Sequence, residues 1–96
     1  MTSVGAELRV RGLVQGVGYR YFARRRAAAL GLTGWVRNEP DGSVLILAEG
    51  DQGAIADLAA ELKAGPSAAA VSDVTVTWRE FTGRYSSFDI QSRHSW

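Results

Sequence analysis

Five short stretches of this chain have the apolar pattern of strands. In the first, Leu8 and Val10 stand between charged residues, which is the period of two expected of a strand with one buried face. The third contains the continuous apolar run Val44–Ala48, which is typical of a central strand covered on both faces. The predicted strands are Glu7–Arg11, Thr33–Asn38, Ser43–Glu49, Asp73–Arg79 and Phe88–Ile90.

Two longer stretches have the apolar spacing of amphipathic helices. The first covers Tyr19–Leu30, and Gly31 supplies a left-handed stop after it. The second has apolar residues three and four positions apart across Ile55–Leu62. Asp51 is the expected N-cap of this second helix, and we expect Gly65-Pro66 to end it.

The predicted order of elements is β-α-β-β-α-β with a short extra strand at the C-terminal end. This order is typical of the ferredoxin-like sandwich of the α+β class, in which an antiparallel sheet carries two helices on one face. A helical crossover makes the first two strands parallel, with the third strand between them. We expect residues 1–96 to form a single domain with flexible ends over residues 1–5 and 91–96.

Composition excludes several classes of function. The chain has 96 residues, no cysteine and a formal net charge of +1, so disulfides, thiolate metal sites and cysteine nucleophiles are excluded. No signal-peptide pattern opens the chain, and no stretch approaches the ~20 apolar residues of a membrane span. The near-neutral charge gives no overall argument for nucleic acid or membrane binding. We expect a cytoplasmic protein.

The segment between the first strand and the first helix, Gly12–Arg20, combines glycines with an arginine. Gly12, Gly16 and Gly18 can adopt positive φ, so successive main-chain N–H groups can point at a ligand. The helix that follows directs its free N–H groups into the same space. Arg20 adds a guanidinium whose donors match phosphate oxygens. Glycines alone would also permit a tight turn, but that interpretation does not account for the arginine, so we predict an anion-binding loop.

Asn38 ends the second predicted strand, and the parallel direction of the first two strands brings it to the same end of the sheet as this loop. Two strand spacings separate them by roughly 10 Å. A neutral carboxamide can accept from and donate to a water molecule without repelling an anion. The alternatives are ordinary turn capping for Asn38 and a surface salt bridge for Arg20.

Two motifs together are more specific than either alone: Gly12-x-Val14-Gln15-Gly16-Val17-x-Tyr19-Arg20 and Gly34-Trp35-Val36-Arg37-Asn38-x-x-Asp41-Gly42-x-Val44. On these motifs the chain closely resembles the acylphosphatases, and the resemblance covers essentially the whole domain. It implies a hydrolase that cleaves the carboxyl-phosphate bond of acyl phosphates without a metal or cofactor. It implies that Arg20 binds the phosphate and that Asn38 positions the attacking water. The implied phosphate-binding N–H groups belong to Gln15, Gly16, Val17, Gly18, Tyr19 and Arg20.

Two other functions of the same architecture stay open. An RNA-recognition domain needs exposed aromatic residues on its two central strands, whereas the first and third strands here offer aliphatic residues. A domain that binds acyl or carbamoyl phosphate without acting alone as an enzyme is the second alternative. His94 stands alone and cannot build a metal site. We therefore expect a monomer whose partner is a small acyl phosphate.

Overall fold

The computed structural model describes residues 2–92, so the predicted flexible tail over 93–96, with His94, lies outside the described residues. The elements follow the predicted order, and Gly31 has the positive φ of the predicted helix stop. Within 2–92, no helix combines the length and apolar character that crossing a membrane requires. The elements are β1 (Ser3–Leu13), α1 (Tyr19–Ala29), β2 (Thr33–Asn38), β3 (Val44–Asp51), α2 (Gln52–Ala64), β4 (Ala70–Arg79) and β5 (Phe88–Ile90).

The sheet confirms the ferredoxin-like fold, and its short last strand is the exception to the antiparallel pairing. Its order is β4-β1-β3-β2-β5, and the first four strands pair antiparallel as predicted. The short β5 pairs parallel to β2, so the sheet as a whole is mixed. The reason is topological: β4 ends at the end of the sheet where β2 begins, and the chain therefore enters β5 from that same end.

Three predicted boundaries are wrong because the strands pair beyond their alternating segments. The predicted loose N-terminal end is instead paired: Ser3 lies opposite Asp51 at the start of β1. β4 begins three residues before its predicted start at Asp73 and reaches Ala70, which lies opposite Leu13. At the other end, the main-chain N–H of Gln91 donates to the carbonyl of Val36 at 2.8 Å, so the predicted flexible tail does not begin there.

Gly12 lies inside β1 and does not belong to the anion-binding loop, contrary to the prediction. The register between β1 and β4 shifts at Arg11/Gly12, and φ at Gly12 is 127°. A Cβ at this position would stand 2.2 Å from the carbonyl oxygen of Ala70. The glycine therefore allows the two backbones to approach, which is a packing role.

The core lies between the helix layer and one face of the sheet. The central position of β3 is confirmed, since Ile46 is fully buried on one face and Leu45 on the other is 5% exposed. The buried helix residues lie at helical spacing, so each helix presents one apolar stripe to the sheet. These residues are Tyr19, Ala23 and Ala27 in α1 and Ile55, Leu58 and Leu62 in α2.

Tyr19 joins the two helices through its hydroxyl group, which donates to the carbonyl oxygen of Leu62 at 2.6 Å. The residue four positions after Leu62 is Pro66, which has no N–H, so this carbonyl has no helical donor. Tyr19 supplies the missing donor, and burial raises the pKa of its hydroxyl above the usual range. The hydroxyl is therefore part of the helix-helix packing.

Replacing Tyr19 with phenylalanine should lower the free energy of unfolding by about 1–3 kcal/mol, because a buried carbonyl loses its donor while the ring volume is kept. Urea denaturation followed by circular dichroism measures this change. Tyr21→Phe is the matched control, since Tyr21 is exposed on the same helix and its change should be within about 0.5 kcal/mol. Equal stabilities of the two variants would contradict the assigned role.

Candidate active site

The loop that precedes α1 is open to solvent at two glycines with positive φ. Gly16 and Gly18 both have φ of 77°, and a Cβ at either position would meet no atom within 4 Å. Gly18 is the N-cap of α1, where no side chain caps the helix and the first turn contains no acidic residue. The positive end of the helix dipole is therefore uncompensated, and an anion can bind there.

Arg20 lies in the first turn of α1, beside these donors. Its Nη1 donates to the main-chain carbonyl of Gln91 at 3.2 Å, so the residue that follows β5 holds the guanidinium in place. The ion pairs within residues 2–92 do not include Arg20. Hence the salt-bridge alternative has no support in this part of the chain, and most of the guanidinium donors stay available to a ligand.

Asn38 is the last residue of β2 and shares the helix-side face of the sheet with Val36, because strand residues two apart point the same way. Its Oδ1 is buried and has no hydrogen-bond partner within the described residues. The turn that follows is capped instead by Asp41, whose carboxylate accepts from the N–H of Ser43 at 2.9 Å. The turn-capping alternative for Asn38 is therefore wrong, and its unpaired oxygen is an acceptor available to a small polar ligand.

Arg20 and Asn38 line the same pocket, which has a volume of about 180 Å³. The predicted proximity of the loop and the end of the second strand is thus confirmed. Of the predicted phosphate-binding residues, Gln15 and Val17 do not belong to the pocket lining. The lining residues are Val14, Gly16, Gly18, Tyr19, Arg20, Tyr21, Asn38 and Ile90.

Gln15 connects the loop to the turn between β2 and β3. Its side-chain Nε2 donates to the carbonyl oxygens of Glu39 at 2.8 Å and of Ser43 at 2.9 Å. These two bonds fix the loop against the turn that follows Asn38. Sequence reasoning assigned Gln15 only through its main-chain N–H, because nothing local in the sequence indicates the partners of its side chain.

The carboxylates closest in sequence to Asn38 are compensated by arginines. Glu39 accepts from Nε of Arg37 at 2.9 Å, and Asp41 lies 3.7 Å from Nη1 of Arg9. The side-chain hydrogen bond from Ser43 is the main cause that lowers the pKa of Asp41. Compensation of these negative charges preserves the attraction of the pocket for an anion.

The fold and the pocket define an α+β domain with a main-chain anion loop, an arginine and a carboxamide at one end of its sheet. The family model described as "Acylphosphatase" matches residues 6–90. The chain belongs to the acylphosphatase family, and the resemblance stated from its two motifs is confirmed.

Individual relatives match over most of their length. The chain is 46% identical over 83 residues to an acylphosphatase of Salinibacter ruber, covering 86% of this chain and 87% of the relative. It is 44% identical over 90 residues to an acylphosphatase of Pelotomaculum thermopropionicum, covering 94% and 98%. The crystal structure of acylphosphatase from Bacillus subtilis matches with a TM-score of 0.88 and 38% identity, covering 92% of this chain and 98% of that one.

Proposed function

We propose that this protein hydrolyses acyl phosphates to a carboxylate and inorganic phosphate, with no metal ion in the reaction. The observation that carries the proposal is the buried, unpaired Oδ1 of Asn38 in the pocket that Arg20 also lines. A cationic donor and a neutral acceptor on one small pocket match the two reactants of a hydrolysis, an anion and a water molecule.

The phosphoryl group binds to Arg20 and to the main-chain N–H groups of the loop from Gln15 to Arg20. Its non-bridging oxygens accept from the guanidinium and from the amides around Gly16 and Gly18. Charge on these oxygens in the transition state is stabilised by donors that are already oriented. Phosphoryl transfer depends mainly on such positioning and charge stabilisation, so a site without a covalent nucleophile can suffice.

The attacking water donates to Oδ1 of Asn38, which satisfies the buried acceptor. The water oxygen bonds to phosphorus while the bond from phosphorus to the acyl oxygen breaks, and the bonding pair leaves with the carboxylate. Because a carboxylate leaving group has a conjugate-acid pKa on the order of 4, it departs without a general acid. The water proton moves to a non-bridging phosphoryl oxygen, since neither a carboxylate nor a histidine lines the pocket among residues 2–92.

Binding of RNA by the open sheet face is the weaker candidate. Three arginines of that face already have carboxylate partners: Arg9 with Asp41, Arg11 with Asp73 and Arg79 with Glu7. Paired guanidinium groups offer little positive potential to a phosphate backbone. The monomeric state, the cytoplasmic location and the lack of nucleic-acid binding stay predictions from the sequence.

The test is hydrolysis of benzoyl phosphate by the purified protein in the presence of excess EDTA, beside a phosphate monoester at the same concentration. We expect rapid hydrolysis of the acyl phosphate and none of the monoester, whose alkoxide leaving group needs protonation that this pocket does not supply. Loss of activity with EDTA, or equal rates on the two substrates, would contradict the proposal.

Gln15→Ala should reduce kcat for benzoyl phosphate by about tenfold, because the loop loses its link to the turn beside Asn38. Small displacements of groups that position the substrate lower the rate of the chemical step strongly. Steady-state kinetics with inhibition by inorganic phosphate measures this. Arg11→Ala is the control, since its contacts with Asp73 and Thr75 lie on the exposed sheet face. A wild-type kcat for Gln15→Ala would show that the side-chain link has no part in positioning.

A further inference from the structure

One wall of the pocket consists of apolar side chains that have no role in phosphate binding or in positioning the water. Tyr21 and Ile90 both line it, and both are large side chains with high exposure, 57% for Tyr21 and 36% for Ile90. Exposed apolar side chains at the mouth of a polar pocket offer a ligand a surface that excludes water.

Both side chains are fixed next to the proposed phosphate site by the backbone. Tyr21 follows Arg20 in α1, and Ile90 precedes Gln91, whose carbonyl accepts from the Arg20 guanidinium. Phe88 of β5 is buried in the core, so Ile90, two residues later, points to the same helix-side face. The two apolar groups therefore line the pocket from the helix that carries Arg20 and from the strand that precedes Gln91.

The ring of Tyr21 is held by its own helix. The guanidinium carbon of Arg25 lies 5.4 Å from the ring centroid, and residues four apart are neighbours on a helix surface. Arg25 itself does not line the pocket. This contact limits the freedom of an otherwise exposed ring and lowers the entropy lost when a ligand packs against it.

We propose that Tyr21 and Ile90 form the subsite for the acyl group and select uncharged, apolar acyl phosphates, aromatic ones above all. The inference rests on the proposed function. With the phosphoryl group against Arg20 and the loop amides and the water against Asn38, the acyl group extends to the remaining lining, which consists of aliphatic and tyrosine side chains. Among residues 2–92, Arg20 is the one charged side chain that lines the pocket, so a second anionic group on the acyl chain finds no further cation there.

The test compares kcat/KM for benzoyl phosphate with kcat/KM for acetyl phosphate in the wild type, Tyr21→Ala and Ile90→Thr. Alanine preserves the helix and threonine preserves the branched shape that suits a strand. Trp78→Thr is the matched control, because Trp78 is an aromatic residue, 48% exposed, on β4 at the opposite edge of the sheet. Inhibition by inorganic phosphate, measured on every variant, reports the phosphate site separately.

We expect Tyr21→Ala and Ile90→Thr each to lower kcat/KM for benzoyl phosphate by about threefold to tenfold, less than a fully enclosed pocket would give. In both variants, kcat/KM for acetyl phosphate and the inhibition by phosphate should change by less than about twofold. Trp78→Thr should leave kcat/KM for both substrates and the inhibition by phosphate unchanged. Equal losses on both substrates, or no loss on either, would overturn the acyl subsite while leaving the proposed function intact. If the wild type hydrolyses neither substrate, the proposed function fails and the subsite fails with it.

Discussion

Arg20→Ala should reduce kcat/KM for benzoyl phosphate by about 10³-fold or more, and inhibition by inorganic phosphate should disappear with it. The guanidinium is the cationic group of the pocket, and an arginine that stabilises a transferring phosphoryl group is worth about 10³–10⁵ in rate. Ground-state binding falls together with turnover because the same donors contact the phosphate before and during the reaction. Steady-state kinetics with phosphate as a competitive inhibitor measures both effects.

Two variants show whether this loss is specific. Arg24→Ala removes an exposed arginine from the same helix and should change kcat/KM by less than about twofold, since exposed charges act weakly. Arg20→Lys keeps the charge and loses the forked geometry, so it should restore only a part of the activity. Turnover of folded Arg20→Ala within tenfold of the wild type would show that the arginine is not the phosphate ligand.

Asn38→Ala should lower kcat by about 10²-fold or more and leave inhibition by inorganic phosphate nearly unchanged. The carboxamide contacts the water and not the phosphate, so its removal affects the chemical step and spares ground-state binding. The same kinetic series therefore separates Asn38 from Arg20, whose removal weakens both. A rise in the inhibition constant equal to the fall in kcat would place Asn38 on the phosphate instead.

Stability provides the control for Asn38. Its Oδ1 is buried without a partner, and an unsatisfied buried acceptor destabilises a fold. Alanine removes that group, so the free energy of unfolding of Asn38→Ala should equal or exceed that of the wild type. Asn38→Asp should add to the kinetic defect by weakening phosphate binding, since a carboxylate beside the site repels the anion. A strongly destabilised Asn38→Ala would indicate a structural role for this side chain.

The fold could be predicted because period-two and period-3.6 patterns identify the strands and helices, and a helical crossover fixes their topology. The direction of β5 could not be predicted, since the apolar pattern of a strand of three residues does not indicate its direction. The role of Gly12 could not be predicted either, because a glycine suits a ligand loop and a close approach of two strands equally well.

The predictable part of the site is the part that topology determines. Parallel first and second strands bring Arg20 and Asn38 to one end of the sheet, and both line one pocket. The hydrogen bonds that hold the site residues in place could not be predicted, because their partners are distant in sequence and depend on how the elements pack. Gln15 donates across 24 residues and Tyr19 across 43, and Arg20 is held by a carbonyl 71 residues away.

If loop amides, one guanidinium and one carboxamide converge on a phosphate, a titration of the ¹⁵N-labelled protein with inorganic phosphate will detect all three groups. We predict saturable shifts of the backbone amides of residues 15–20, with smaller changes at Asn38 and Gln91. Arg20→Ala should abolish these shifts. Shifts centred on the exposed arginines of α1 from Arg24 to Arg26, with the loop amides unmoved, would show that phosphate does not bind in this pocket.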